Sequence, residues 1–238
     1  MVLGEKEVKR GRGNVSIPLV CASRERRAFA FLSPKETFAE VPIITHIIFE
    51  SQMTLIQLHP IPNKLLFDIA YATPQNFTGK PVYAQPHCYL HKEAHEKFLI
   101  ALDLANAQGY ALKIFDAFRP QEAQEKLWDF CPDPTYICPP EKGSPHSRGV
   151  AVDLTLVDQK TGQDLDMGTP FDDFTLLSHH KNTEITPEAQ RNRCTLMGIM
   201  TLAGWDFFTS EWWHYQLFHA REKYNLLYDK DLETSMMS

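Results

Sequence analysis

The stretch Ser144-Pro145-His146-Ser147-Arg148-Gly149-Val150-Ala151-Val152-Asp153-Leu154-Thr155-Leu156 decides how this chain is read. Val150, Val152, Leu154 and Leu156 alternate with other residues, the period of a strand with one face in a core, so a strand is predicted over 150–157. Strand parity then sets Asp153 on the opposite face. A carboxylate inside such an apolar strand is costly unless it is paired, solvated or bound to a metal. His146 lies seven positions earlier, in a turn-rich approach. A second segment, Ser210-Glu211-Trp212-Trp213-His214-Tyr215, carries Glu and His three apart among large aromatics. It opens the last predicted strand, Trp212–Phe218. His146, Asp153 and His214 together offer two imidazoles and one carboxylate.

A hydrolytic zinc site uses three ligands of these types and keeps a fourth position for water or substrate. Imidazole and carboxylate suit zinc without closing the site as thiolates would. Such a metal brings a bound water to a pKa of about 7. A nearby carboxylate that is not a ligand can take the water's proton and pass it to the leaving amine. Glu211 is the candidate. In a regular strand Glu211 and His214 would point to opposite faces, so Glu211 is expected in the turn before the strand or beyond a bulge. Other histidines have plainer readings. His179 and His180 are adjacent and rarely would both reach one metal, so they read as structural or as support for a ligand. His91 and His95 lie at i, i+4 with no base beside them and read as a solvated helix face. Arg119, taken alone, reads as a strand-end ion pair.

Around these segments the chain alternates helix and strand signals. Leu65–Tyr71 is a short strand candidate. His91–Ala107 reads as a helix, with Ala94, Phe98, Ala101, Leu102 and Ala105 at helical steps and Gly109 as its stop. Ala111–Phe118 is a strand candidate ended by Arg119-Pro120. Pro120 suits the first position of a helix running to Phe130, with Ala123, Leu127 and Phe130 on one side. Cys131–Gly143 is a Pro-rich loop. Thr186 is an N-cap candidate with Pro187 at the first helical position, and that helix runs to about Ala203 before Gly204. Interspersed elements with loop and hairpin connections predict an α+β fold, a central mainly antiparallel sheet flanked by helices.

The chain has 238 residues, 43% hydrophobic and 23% charged, enough for one good-sized domain or one domain plus an extension. That composition excludes wholesale disorder and fibrous repeats. A net charge of −6 argues against a nucleic-acid partner, and no apolar run is long enough to predict a membrane span. Five cysteines at scattered positions make a poor disulfide framework and read as free thiols in a reducing compartment. The short apolar stretch Val15–Ala22 is interrupted by Pro18 and followed by Arg24, Arg26 and Arg27. It makes a marginal signal peptide. The expected location is therefore cytoplasmic, or periplasmic if that stretch acts as a weak signal.

Ser-x-His-Ser-Arg-Gly-x-Ala-x-Asp-Leu-Thr-Leu followed by Ser-Glu-Trp-Trp-His resembles the zinc D-alanyl-D-alanine dipeptidases, the family that includes enzymes of transmissible vancomycin resistance. Supporting segments are Tyr71-Ala72-Thr73 with Asn76-Phe77-Thr78-Gly79-Lys80, Asp116-Ala117-Phe118-Arg119-Pro120, Met167-Gly168 with Phe171-Asp172, and Ala189-Gln190-Arg191-Asn192-Arg193. The resemblance runs from about Leu65 to Phe218. It implies the zinc D-Ala-D-Ala peptidase fold, shared with hedgehog signalling domains. It also implies one Zn2+ per subunit held by His146, Asp153 and His214, Glu211 as general base, and Arg119 at the oxyanion. Asp172, Ser144 and Tyr71 match the positions that hold the substrate ammonium. The residue before the first ligand is polar in the family and helps hold the substrate carboxylate; here it is Pro145. The Cys131–Gly143 loop is shorter than in the resistance enzymes.

The expected activity is hydrolysis of D-alanyl-D-alanine to two D-alanines, with a small dipeptide as partner and a homo-oligomer left open. The alternatives are a D,D-carboxypeptidase acting on peptidoglycan precursors and a zinc-containing binding module without turnover. All these motifs follow Leu65, and Met53 begins the run Met-Thr-Leu-Ile-Gln-Leu. Residues 1–52 are therefore expected to be an N-terminal extension, poorly ordered or a mis-called start, ahead of a zinc dipeptidase domain over 53–238.

Overall fold

A computed structural model of the protein describes residues 54–238. The expected extension over residues 1–52, with Cys21 and the Val15–Ala22 stretch, lies outside the described residues, as does Met53. Seven strands and four α-helices follow in the order β1 (Leu55–Leu58), β2 (Leu65–Phe67), β3 (Cys88–His91), α1 (Lys92–Ala107), β4 (Tyr110–Asp116), α2 (Gln121–Phe130), β5 (Ala151–Asp158), α3 (Pro187–Leu202), β6 (Asp206–Phe207), β7 (His214–Gln216) and α4 (Ala220–Lys223). Five strands form the main sheet in the order β2-β4-β5-β7-β6. Its pairings are antiparallel except β2 with β4. β1 and β3 make a separate antiparallel pair. This is the α+β arrangement anticipated from the sequence.

The alternation in the opening stretch does what strand parity requires. Val150, Val152, Leu154 and Leu156 are completely buried, and Ala151, Asp153 and Thr155 on the other face are buried too, so β5 is covered on both sides rather than one. α1 is capped by the His91 side chain, which accepts from the Glu93 N–H, and it buries the predicted Ala94, Phe98, Ala101, Leu102 and Ala105. α3 is capped by Thr186, whose Oγ1 accepts from the Ala189 N–H at 3.0 Å, with Pro187 at the first helical position. Among the described residues no helix is long and apolar enough to cross a membrane.

Several details differ from the sequence expectation, including β4, which ends at Asp116 rather than Phe118. β2 stops at Phe67, and Ala70–Ala72 turns as a 3-10 helix that brings Tyr71 inward. Pro120 is the cap of α2 rather than its first residue. Phe130 leaves the buried side of α2 and is 57% exposed, meeting Phe77 at a ring distance of 5.8 Å. The last strand is only His214–Gln216, because Trp212 and Trp213 occupy a turn.

One irregularity matters for function. Lys113 and Ile114 pair with Thr155 and Leu154, but Asp116 then pairs with Asp153, so β4 carries one extra residue at Phe115. In a regular strand Ile114 and Asp116 would share a face. The bulge turns Asp116 to the face of Asp153 instead. On the other side Asp153 pairs with His214. Asp116, Asp153 and His214 therefore stand in one row across three neighbouring strands.

Candidate active site

The row of side chains on β4, β5 and β7 is completed by His146, which a short 3-10 turn, His146–Arg148, carries in from the side. Gly149 ends that turn at φ +69, where a side chain is strained. A Cβ there would also meet Leu55 Cδ2 at 2.6 Å and the His91 backbone nitrogen at 3.0 Å. Glycine is thus needed to deliver the histidine.

His146, Asp153 and His214 are all buried, and one ligand atom from each lies within 4.8 Å of the others. His146 Nε2 is 3.3 Å from Asp153 Oδ2, His214 Nδ1 is 3.1 Å from Asp153 Oδ1, and the two ring nitrogens are 3.1 Å apart. The outer nitrogens have partners of their own. His146 Nδ1 lies 2.7 Å from the Ala117 carbonyl oxygen, which can only accept, so Nδ1 donates. His214 Nε2 lies 3.1 Å from Gln216 Oε1 and donates to it. In the neutral rings the inner nitrogens are then lone pairs, and two lone pairs and a carboxylate converge on one point. Such a donor set fits a divalent cation with open coordination, oriented by outer hydrogen bonds as metal-binding histidines are.

Glu211 sits in the turn before β7, with His214 donating its backbone N–H to the Glu211 carbonyl at 3.3 Å. That turn resolves the parity conflict and brings Glu211 Oε2 to 3.9 Å from His214 Nδ1. Burial raises its carboxyl to about 7, outweighing the His214 charge. Burial would raise Asp153 as well, but when the imidazoles are protonated, the His146 charge and hydrogen bonds from both rings hold it well below the usual carboxylate range.

Arg119 is 7% exposed and stacks its guanidinium 5.0 Å from the centre of the Tyr71 ring. It donates from Nε to Asp116 Oδ2 at 2.9 Å and from Nη1 to Gln124 Oε1 at 2.9 Å, while Nη2 lies 2.8 Å from Asp116 Oδ2. Tyr71 donates its hydroxyl to Asp172, 3.0 Å from Oδ2. Asp172 itself stands at φ +59, a conformation unusual outside glycine. Burial and the Asp153 charge push its carboxyl well above the ordinary range, against Arg119 and the Tyr71 hydroxyl. Ser144 Oγ accepts from the His146 N–H at 3.2 Å.

All eight sequence-predicted site residues, His146, Asp153, His214, Glu211, Arg119, Asp172, Ser144 and Tyr71, line one cavity of about 440 Å³, a volume ordinary for a small-molecule site. The Cys131–Gly143 loop supplies part of its wall, including Tyr136, Cys138 and Lys142. His180 lies elsewhere, against Phe207 and Tyr215, as its structural reading required. Sequence reasoning missed Asp116, Gln124 and Gln216 as partners of the site. Gln216 was within reach of it, because it lies two positions after His214 and so shares its strand face. Nothing local to the sequence points to Gln124 or the Ala117 carbonyl.

Two histidines and a carboxylate placed to hold a metal, with a further carboxylate and an arginine over one cavity, fit the site of a metallopeptidase. The model of the Peptidase_M15 family, described as D-ala-D-ala dipeptidase, matches residues 51–233, and the chain belongs to that family. A D-alanyl-D-alanine dipeptidase of Escherichia coli (strain K12) is 44% identical over 176 residues, covering 74% of this chain and 90% of that protein. One from Enterococcus faecium is 36% identical over 180 residues, covering 67% and 89%. One from Streptomyces coelicolor is 32% identical over 178 residues, covering 63% and 85%.

Proposed function

We propose that this chain is a zinc D,D-dipeptidase that hydrolyses D-alanyl-D-alanine to two D-alanines. The observation that carries this is the convergence of His146, Asp153 and His214 within 4.8 Å, on a cavity that Glu211, Arg119 and Asp172 also line. The relatives named D-alanyl-D-alanine dipeptidase support the same substrate. His146, Asp153 and His214 would hold one zinc ion, which when bound polarises the scissile carbonyl and makes water a nucleophile at neutral pH.

The chain's own residues do the rest. Glu211 takes a proton from the attacking water and gives it to the departing amine. Arg119 has five N–H groups, of which Asp116 and Gln124 occupy three, so two remain for the charge that grows on the carbonyl oxygen. The Tyr71 hydroxyl donates to Asp172, which leaves its lone pairs, with the Asp172 carboxylate and Ser144 Oγ, to receive an ammonium. A longer peptide, acylated at that nitrogen, brings no positive charge to pair with Asp172 and forgoes the charge-assisted bonds that the free ammonium makes, which favours the free dipeptide. Pro145 has neither an N–H nor a polar side chain, so the substrate carboxylate is held without a contact from that position.

The test compares D-Ala-D-Ala with an N-acylated tripeptide ending in D-Ala-D-Ala. Cleavage of the dipeptide alone is expected. Cleavage of the tripeptide alone would make the protein a D,D-carboxypeptidase, and zinc binding with neither cleaved would make it a binding module.

A further inference from the structure

Arg193 is a buried cation outside the residues that line the cavity. It lies within α3 and is 2% exposed. Its Nε donates to the Met167 carbonyl at 2.6 Å, and its Nη1 donates to the carbonyls of Leu177 at 2.9 Å and His179 at 3.1 Å. These acceptors bracket residues 168–176, the segment that carries Asp172. The same guanidinium lies 5.9 Å from the centre of the Trp212 ring, one residue beyond Glu211. Trp212 is tied back to the bracketed segment and its end. Its indole N–H donates to Thr169 Oγ1 at 2.8 Å and its backbone N–H to the Ser178 carbonyl at 3.2 Å.

We infer that Arg193 is a positioning residue for substrate recognition: it clamps both ends of the 168–176 segment and the Trp212 turn, and so fixes Asp172 relative to Glu211 and the ligand histidines. The inference rests on Asp172 as the acceptor of the substrate ammonium. A rigid planar fork is needed to reach three carbonyls from one side chain. Lysine offers a single nitrogen and cannot span them. Asp172 is held at φ +59, so a released segment has a less strained conformation to relax into. A shift of about an ångström at a positioning group costs up to a hundredfold in rate.

The experiment is steady-state hydrolysis of D-Ala-D-Ala by the zinc-loaded wild type, Arg193→Lys, Asp172→Ala and the double variant, with zinc content measured on each. Arg193→Lys is expected to keep its zinc and raise KM about tenfold or more, with a smaller fall in kcat. In the double variant KM should be no higher than in Asp172→Ala, because both changes remove the same contact. An unchanged KM in Arg193→Lys, or KM effects that multiply in the double variant, would overturn the inference while leaving the dipeptidase reading intact. A wild type that does not cleave D-Ala-D-Ala would overturn both. If Arg193→Lys does not fold, Thr169→Val, which cuts the bond to Trp212, is read in the same way. It should raise KM roughly two- to tenfold, and an unchanged KM would refute the clamp.

Discussion

Arg119 turns Nε and Nη2 onto one oxygen of Asp116, at 2.9 and 2.8 Å, while the Tyr83 hydroxyl donates to the other oxygen at 2.8 Å. The Asp116 carboxylate is thereby filled on both sides and cannot swing. It holds the guanidinium beside Asp153, where Nη2 lies 3.9 Å from Oδ2. Arg119→Ala should lower kcat about 10²- to 10³-fold with a smaller change in KM, as loss of a transition-state contact requires. Steady-state kinetics reads this directly. A pure KM effect would instead make Arg119 a substrate anchor. Asp116→Ala removes the nearest countercharge of the buried cation, leaving Asp153 at 3.9 Å, and should cost up to about 3–5 kcal/mol of stability, measurable by urea unfolding.

On the proposed mechanism Glu211 separates metal binding from turnover. Its carboxylate is 3.9 Å from His214 Nδ1, close enough to reach a water at the metal site without belonging to the ligand triad. Glu211→Ala should retain one zinc per chain and lose about 10²- to 10⁴-fold in kcat. Near-normal turnover in a zinc-replete variant would remove Glu211 from the mechanism.

His180 gives the fold a pH dependence of its own. Burial, with the Arg193 charge behind it, pulls its imidazole down to about 4. Its Nε2 is buried without a hydrogen-bond partner among the described residues. The unfolded chain takes up a proton near pH 6.5 while the folded chain does not. The contribution is therefore fully present above about pH 6.5, falls as pH drops toward 4, and levels off below that. Urea midpoints of the wild type and His180→Gln, compared at pH 7 and pH 5, should show a larger acid loss in the wild type. Equal losses would exclude His180 as the source.

Much of the site was legible because its residues sit on regular periods or in short motifs. Alternation over 150–157 fixed the faces of β5 and set Asp153 opposite the apolar residues. The parity conflict between Glu211 and His214 pointed to the turn that Trp212 and Trp213 make. The rest depends on pairings between distant segments. The extra residue at Phe115 that turns Asp116 toward Asp153 is visible only in the register of β4 against β5. Gln124 approaches Arg119, and Arg193 reaches Met167, Leu177 and His179, through packing of helices that no local pattern encodes. The β1–β3 pair was likewise hidden, since its strands are short and about thirty residues apart in the chain.

The proposed mechanism requires that His146, Asp153 and His214 hold a zinc ion needed for cleavage of D-Ala-D-Ala. It is tested most directly by stripping the purified protein with a chelator and titrating zinc back, following bound metal and D-alanine release together. Activity should vanish on stripping and return in proportion to zinc up to one per chain, and His146→Ala should bind little metal and stay inactive. Full turnover in metal-free protein, or stoichiometric zinc in His146→Ala, would contradict it.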